Sequence, residues 1–172
     1  MDQVRRITIL FLFILISLSI SCIASKLVQV QGFIPAKLTI ALAPSGGELA
    51  DAIESRLKIR GFKVIDRPET AKIMARYQMT EKDFIKAESL EILRKEGIDT
   101  IMTVEAVVGP DGEPDSASVR INKTTSWGDI VAWISWQNGR GGERGSIADG
   151  WMRKKIFEAA EEIAQGLTSG KK

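Results

Sequence analysis

The 172-residue chain contains no histidine and a single cysteine. The first absence removes the commonest general base, the usual pH switch near neutrality and the most frequent transition-metal ligand. The second excludes an intrachain disulfide and a thiolate metal cluster. Charge of one sign is also lacking: 24 Lys and Arg face 22 Asp and Glu, for a formal net charge of +2. The basic residues are spread along the chain, whereas a nucleic-acid footprint needs them clustered on one face, so nucleic acid is not an expected partner. No second carboxylate stands at a fixed spacing to complete an acid and base pair. Ser45, in Pro44-Ser45-Gly46-Gly47, has neither a Gly-x-Ser-x-Gly setting nor a histidine to activate it, and reads as a tight turn. The chain is therefore expected to be no enzyme and to carry no cofactor or metal.

The N-terminus carries the clearest chemical signal. Arg5 and Arg6 precede an uncharged run from Ile7 to Ser25. Its dense apolar part, Ile7 to Ile20, is shorter than the roughly 20 residues of a spanning helix and fits the about 7 to 15 of a signal-peptide h-region. Ser19-Ile20-Ser21-Cys22 then resembles the lipobox of bacterial lipoproteins, with a small residue before the cut and Ser19 where that pattern usually has Leu. The expectation is a lipoprotein signal peptide over 1–21 with lipid attached to Cys22. An uncleaved signal anchor and ordinary cleavage are the alternatives, and all three carry the domain across the inner membrane. In the lipoprotein reading, Ile23 rather than Asp follows the cysteine, which favours the outer membrane, periplasmic face.

The exported part reads as a short linker over 22–36, one domain over 37–168 and a tail over 169–172. Lys37 to Ala43 is a compact apolar strand ended by the Pro44 turn. Glu48 to Ile59 sets Leu49, Ala52, Ile53 and Leu57 on one helical face, and Phe62 to Asp66 is a second strand. Strand, helix and strand in about 30 residues form a parallel crossover unit. Asp66 caps a further helix, and Thr80 with Asp83 opens a helical stretch, breaking near Ser89, that Gly97 stops. Three strands follow, Thr100 to Val108, Ser116 to Asn122 and Ile130 to Gln137, joined by turn-rich segments as an antiparallel meander. Ser146 to Leu167 closes the chain as one amphipathic helix. The expected class is α/β, a single domain with a mixed five-stranded sheet covered by helices.

The segments LTIALAP, ELADAIESRLKIRGFKVIDRPE, LEILRKEGIDTIMTVEAVV and ASVRINKTTSWGDIVAWISW, with the final helix, resemble the CsgG-like periplasmic lipoproteins. That superfamily includes the curli secretion lipoprotein, the Pel exopolysaccharide export lipoprotein PelC and activator lipoproteins of penicillin-binding proteins. The resemblance spans about Lys37 to Leu167 and is one of pattern. It implies a non-enzymatic lipoprotein, anchored by lipid, that acts in secretion or exopolysaccharide export by binding or as a homo-oligomer, with other envelope proteins or the export machinery as partners. The curli pore inserts long membrane hairpins whose strands need about 9 to 11 residues in lipid; the short turns here point to the compact members instead. Activation of a peptidoglycan synthase is the alternative, although such activators carry a long tether where this chain has a short one. A signal-anchored periplasmic binding domain is the other.

Among surface candidates, Trp127 at a turn tip and Trp151, one position off the stripe of the last helix, are the expected partner or membrane contacts. Trp133 and Trp136 point to opposite strand faces, so at least one belongs to the core. Glu105 and Arg120 could face each other as an ion pair. Asn138 to Ser146 (NGRGGERGS) fails the dinucleotide and P-loop patterns and reads as a mobile linking loop. Arg153-Lys154-Lys155 and Lys171-Lys172 read as solvated charge.

Overall fold

The computed structural model describes residues 22–125 and 129–169, so the expected signal peptide, Trp127 and Lys171-Lys172 lie outside the described residues. In chain order the elements are β1 (Cys22–Ile23), β2 (Lys26–Gly32), β3 (Thr39–Leu42), α1 (Gly47–Ile59), β4 (Lys63–Ile65), α2 (Arg67–Arg76) and α3 (Ala87–Lys95). β5 (Thr100–Val108), β6 (Pro114–Lys123), β7 (Ile130–Gln137), β8 (Arg140–Gly141), α4 (Ile147–Met152) and α5 (Ile156–Thr168) complete them. The main sheet runs β2-β7-β6-β5-β3-β4. β3 pairs in parallel with β4 and β5, as the crossover unit requires, and β5, β6 and β7 form the antiparallel meander.

The sheet has six strands rather than five. The sixth, β2, lies inside the segment expected to be a linker and pairs antiparallel with β7. Val28-Gln29-Val30-Gln31 does alternate, but a bulge between Leu27 and Gln29 shifts the phase and, of the whole strand, only Leu27 is partly buried. The shift sets Leu27 opposite Trp136 and Val30 opposite Ile134, both toward the core, while Gln29 and Gln31 take the other face.

α1 and α5 cover one face of the sheet. Leu49, Ile53 and Leu57 from α1 and Ala159, Ile163 and Leu167 from α5 are buried with Met102, Val119, Ile121, Ile134 and Trp136. A second cluster on β3 and the start of β5 joins Ala41 and Ile101 to Ile73 of α2, Leu90 and Leu93 of α3, and Ile98. β3, with a helix layer on each side, is buried at all four residues.

Local signals act as read in most places. Asp66 accepts the Glu69 N–H at 2.8 Å and so caps α2. Gly97 takes the left-handed φ of 80° that ends α3, and Ile98 behind it is buried, its N–H donating to the Leu93 carbonyl. The Thr80 and Asp83 capping box forms, but on a 3-10 turn over Glu81–Ile85; extended Lys86 separates that turn from α3, so the break precedes Ser89.

The Lys86 ammonium, and then the Thr80 N–H and hydroxyl, hold the Asp83 carboxyl down to about 2. A carboxylate depressed in the folded state stabilises above its ordinary pKa and loses that contribution as pH falls through the folded one. NMR titration should therefore show Asp83 still ionised at pH 3, with this turn loosening only on further acidification. A midpoint near 3.8 in the folded protein would contradict the capping geometry.

Candidate functional site

The loop between β7 and α5 is built rather than mobile. Asn138, at the end of β7, is buried and bonds four backbone groups. Its amide nitrogen donates to the carbonyls of Pro114 (2.6 Å) and Lys154 (2.8 Å). Its oxygen accepts from the N–H groups of Gly139 (2.8 Å) and Lys154 (2.7 Å). Lys154 is thereby held in a non-helical segment, so the helix expected over Ser146 to Leu167 divides into α4 and α5, with extended Arg153 capping α4. Periodicity misses the break because it senses side-chain polarity, not a distant amide that captures the backbone.

β8 then pairs antiparallel with β1, setting Gly141 opposite Cys22 and Arg140 opposite Ile23. Both strands pack against α4. At Gly141 a Cβ would stand 1.9 Å from the Ala148 carbonyl oxygen, so only glycine lets β8 approach α4 this closely.

A charged cluster ties α4 to the β5–β6 turn. Arg144 bridges Asp111 and Asp115 at 3.0 Å each, and Arg153 reaches Asp115 at 2.5 Å and Asp149 at 3.3 Å. Ser146 caps α4 by accepting the Asp149 N–H, and Asp149 accepts the Gly145 N–H. At Asp115 burial works against ionisation, yet the Arg153 and Arg144 hydrogen bonds outweigh it and hold the carboxyl below its ordinary value. Asp149 is lowered mainly by the Gly145 N–H. Arg144 and Arg153 are thus ion-paired, and the cluster serves position rather than proton transfer.

What α4 presents outward is apolar. Ile147 is 78% exposed and Trp151, one turn later on the same face, 86%. Ile23, on the β1 strand that packs on α4, is 51% exposed. The sequence signals for this site were the spacing of Ile147 and Trp151 and the Ser146-x-x-Asp149 start of a separate helix.

The other candidates disperse. Trp136 is buried, its indole N–H donating to Glu162 at 2.7 Å. Trp133 is half-buried on the opposite face, where it donates to Ser118 at 3.1 Å and the Arg120 guanidinium sits 5.8 Å from its ring centre. The register sets Glu105 opposite Ser118 and Arg120 opposite Thr103, so the two are diagonal rather than facing. Ser45 bonds Glu81 through its N–H and its hydroxyl at 2.6 Å, a tie between turns. Among the described residues no group of His, Cys, Asp and Glu could hold a metal ion, and no helix is long and apolar enough to cross a membrane.

A mixed six-stranded sheet with helices on both faces defines a mixed α/β fold. The chain is similar to PelC from Paraburkholderia phytofirmans, solved as a dodecamer, at 13% identity and a TM-score of 0.47, over 84% of this chain and 99% of that one. It is also similar to the lipoprotein GNA1162 from Neisseria meningitidis, at 13% identity and a TM-score of 0.46, over 67% of this chain and 90% of that one. PelC is among the proteins that the sequence resembles. No family model and no curated protein matches the chain.

Proposed function

We propose that Cys22 is the acylated first residue of a mature outer-membrane lipoprotein on the periplasmic side. The domain acts without catalysis, as a self-assembling binding component of secretion or exopolysaccharide export. The observation that carries this reading is the setting of Cys22. Its backbone is paired to β8, and the exposed side chains of Ile23, Ile147 and Trp151 belong to the elements packed around that pairing. A lipid on Cys22 would bring this apolar surface to the bilayer interface, where an indole gains from burying its ring while its N–H stays wet.

Cys22→Ser should shift the protein from the membrane to the soluble periplasmic fraction, and mass spectrometry of the wild-type N-terminus should find acyl groups on Cys22. A Cys22→Ser protein that stays in the membrane with residues 1–21 attached would establish the anchor reading instead. In vesicles containing brominated acyl chains, wild-type fluorescence should be quenched and Trp151→Phe quenched less. Equal quenching would remove Trp151 from the membrane contact.

A further inference from the structure

Asn138 and Gly139 stand side by side, and the fold makes a separate demand on each. At Asn138 the buried amide gives both Nδ2 hydrogens to carbonyls and accepts two N–H groups on Oδ1. Among side chains of this length only asparagine carries both kinds of group, since aspartate lacks the donors. At Gly139 a Cβ would stand 2.1 Å from the Met152 carbonyl oxygen and 2.9 Å from that of Ile23, so the position admits glycine alone. The pair that results is chemically labile in a free backbone. A glycine nitrogen, unshielded by a side chain, can attack the Cγ of the asparagine before it.

In the folded chain the same bonds block that attack. A nucleophile reaches a carbonyl carbon from above the amide plane. The Gly139 N–H is instead turned to donate to Oδ1 at 2.8 Å, and a hydrogen so bonded lies near that plane. The leaving nitrogen, Nδ2, is held by the Pro114 and Lys154 carbonyls at 2.6 and 2.8 Å. To depart it must gain a proton, and the groups it touches are acceptors with none to give.

We propose that Asn138-Gly139 is a deamidation site that the fold protects, and that it turns unfolding of this region into a one-way event. When β8 and α4 come away, the Gly139 nitrogen bonds to Cγ of Asn138 and the Cγ–Nδ2 bond breaks. The proton released by Gly139 leaves with Nδ2 as ammonia. Water then opens the resulting succinimide at one of its two carbonyls, giving aspartate or isoaspartate. Either product sets a carboxylate where the Pro114 and Lys154 carbonyls need donors, so a converted chain cannot rebuild the turn at Lys154. The element then left without its seat is α4, with the exposed Ile147 and Trp151. Opening followed by covalent change makes the loss irreversible.

The test is peptide mapping by mass spectrometry of the full chain in detergent, held in mildly alkaline buffer with and without guanidinium chloride. In denaturant the peptide holding Asn138 should acquire the mass of the amide-to-acid exchange. Folded protein should convert about tenfold or more slowly, because its reactive form is reached only through opening. Asn122, the other asparagine, is followed by Lys123, whose side chain shields its nitrogen, so it should lag behind Asn138 in denaturant. Converted chains returned to native buffer should show amide exchange in Ile147–Met152 about tenfold or more faster than unconverted ones. Equal conversion in the two buffers would overturn the protection, and no excess of Asn138 over Asn122 in denaturant would overturn the lability. Converted chains whose α4 exchanges as before would overturn the one-way loss.

Discussion

Asn138→Ala should lower the unfolding free energy by about 3 to 4 kcal/mol, although the residue has no part in the apolar core. The substitution removes one side chain that bonds four backbone groups: the carbonyls of Pro114 and Lys154 and the N–H groups of Gly139 and Lys154. Each buried polar group left without a partner costs about 1 to 3 kcal/mol, and alanine supplies neither donor nor acceptor. The full sum is not expected, because the Lys154 end is only partly buried and water can reach some of these groups. The loss should be local as well as global. With Lys154 released, α4 and β8 lose their seat, and amide exchange in Ile147–Met152 should accelerate more than in β5 or β6. Asn138→Asp is the informative companion: it keeps the acceptor for two N–H groups but sets a carboxylate against two carbonyls, so it should not rescue stability. Chemical denaturation decides the matter, and a loss below about 1 kcal/mol would mean that the break between α4 and α5 is held by something else.

Trp136→Ala should cost about 3 to 5 kcal/mol, the range for emptying a large aromatic site in a packed core. Trp136 is buried in β7, facing α5, and its neighbours across the sheet are Ala117 on β6 and Leu27 on β2. Both strand neighbours are smaller than the indole, so neither fills the space that alanine would leave. Trp136→Phe separates the two parts of the effect. It retains most of the apolar area and loses the N–H that Glu162 accepts at 2.7 Å, so a cost of about 1 to 2 kcal/mol is expected. Glu162 keeps Ser25 at 3.1 Å, a second tie between α5 and the chain entering β2, which limits the damage. Equal losses for the two variants would show that the hydrogen bond, not the packing, dominates this site.

Most of the sheet was legible because its strands state their burial directly. Thr39 to Leu42 is a short apolar run, and Ala117, Val119 and Ile121 alternate with polar residues, so each pattern could have only one partner surface. Capping was equally readable at Asp66 and at Thr80 with Asp83, since both ends of those bonds lie within three residues. β2 was not legible, because nearly all of it stays exposed at the edge of the sheet, so its short alternation states no burial, and its bulge shifts the phase between Leu27 and Gln29. The division of the last helix was not either. The stripe of Met152, Ile156, Ala159 and Ile163 continues across it, and the group that interrupts it, Asn138, stands 16 residues before Lys154.

The candidate site divides in the same way. Residue type alone excluded histidine chemistry and disulfides and singled out Cys22, since these depend on which atoms the chain owns. Trp151 could be marked as lying off the apolar stripe, but its exposure is decided by the fold. It follows from α4 ending at Arg153, which the Asn138 amide and the Asp115 and Asp149 carboxylates enforce from distant parts of the chain. The same holds for the pairing that brings Cys22 to Gly141. Local sequence determines what a segment can bury and how its ends are capped, because those energies come from near neighbours. Which elements then meet is decided by long-range backbone hydrogen bonds and close contacts at glycine, and these exist only once the chain has closed on itself.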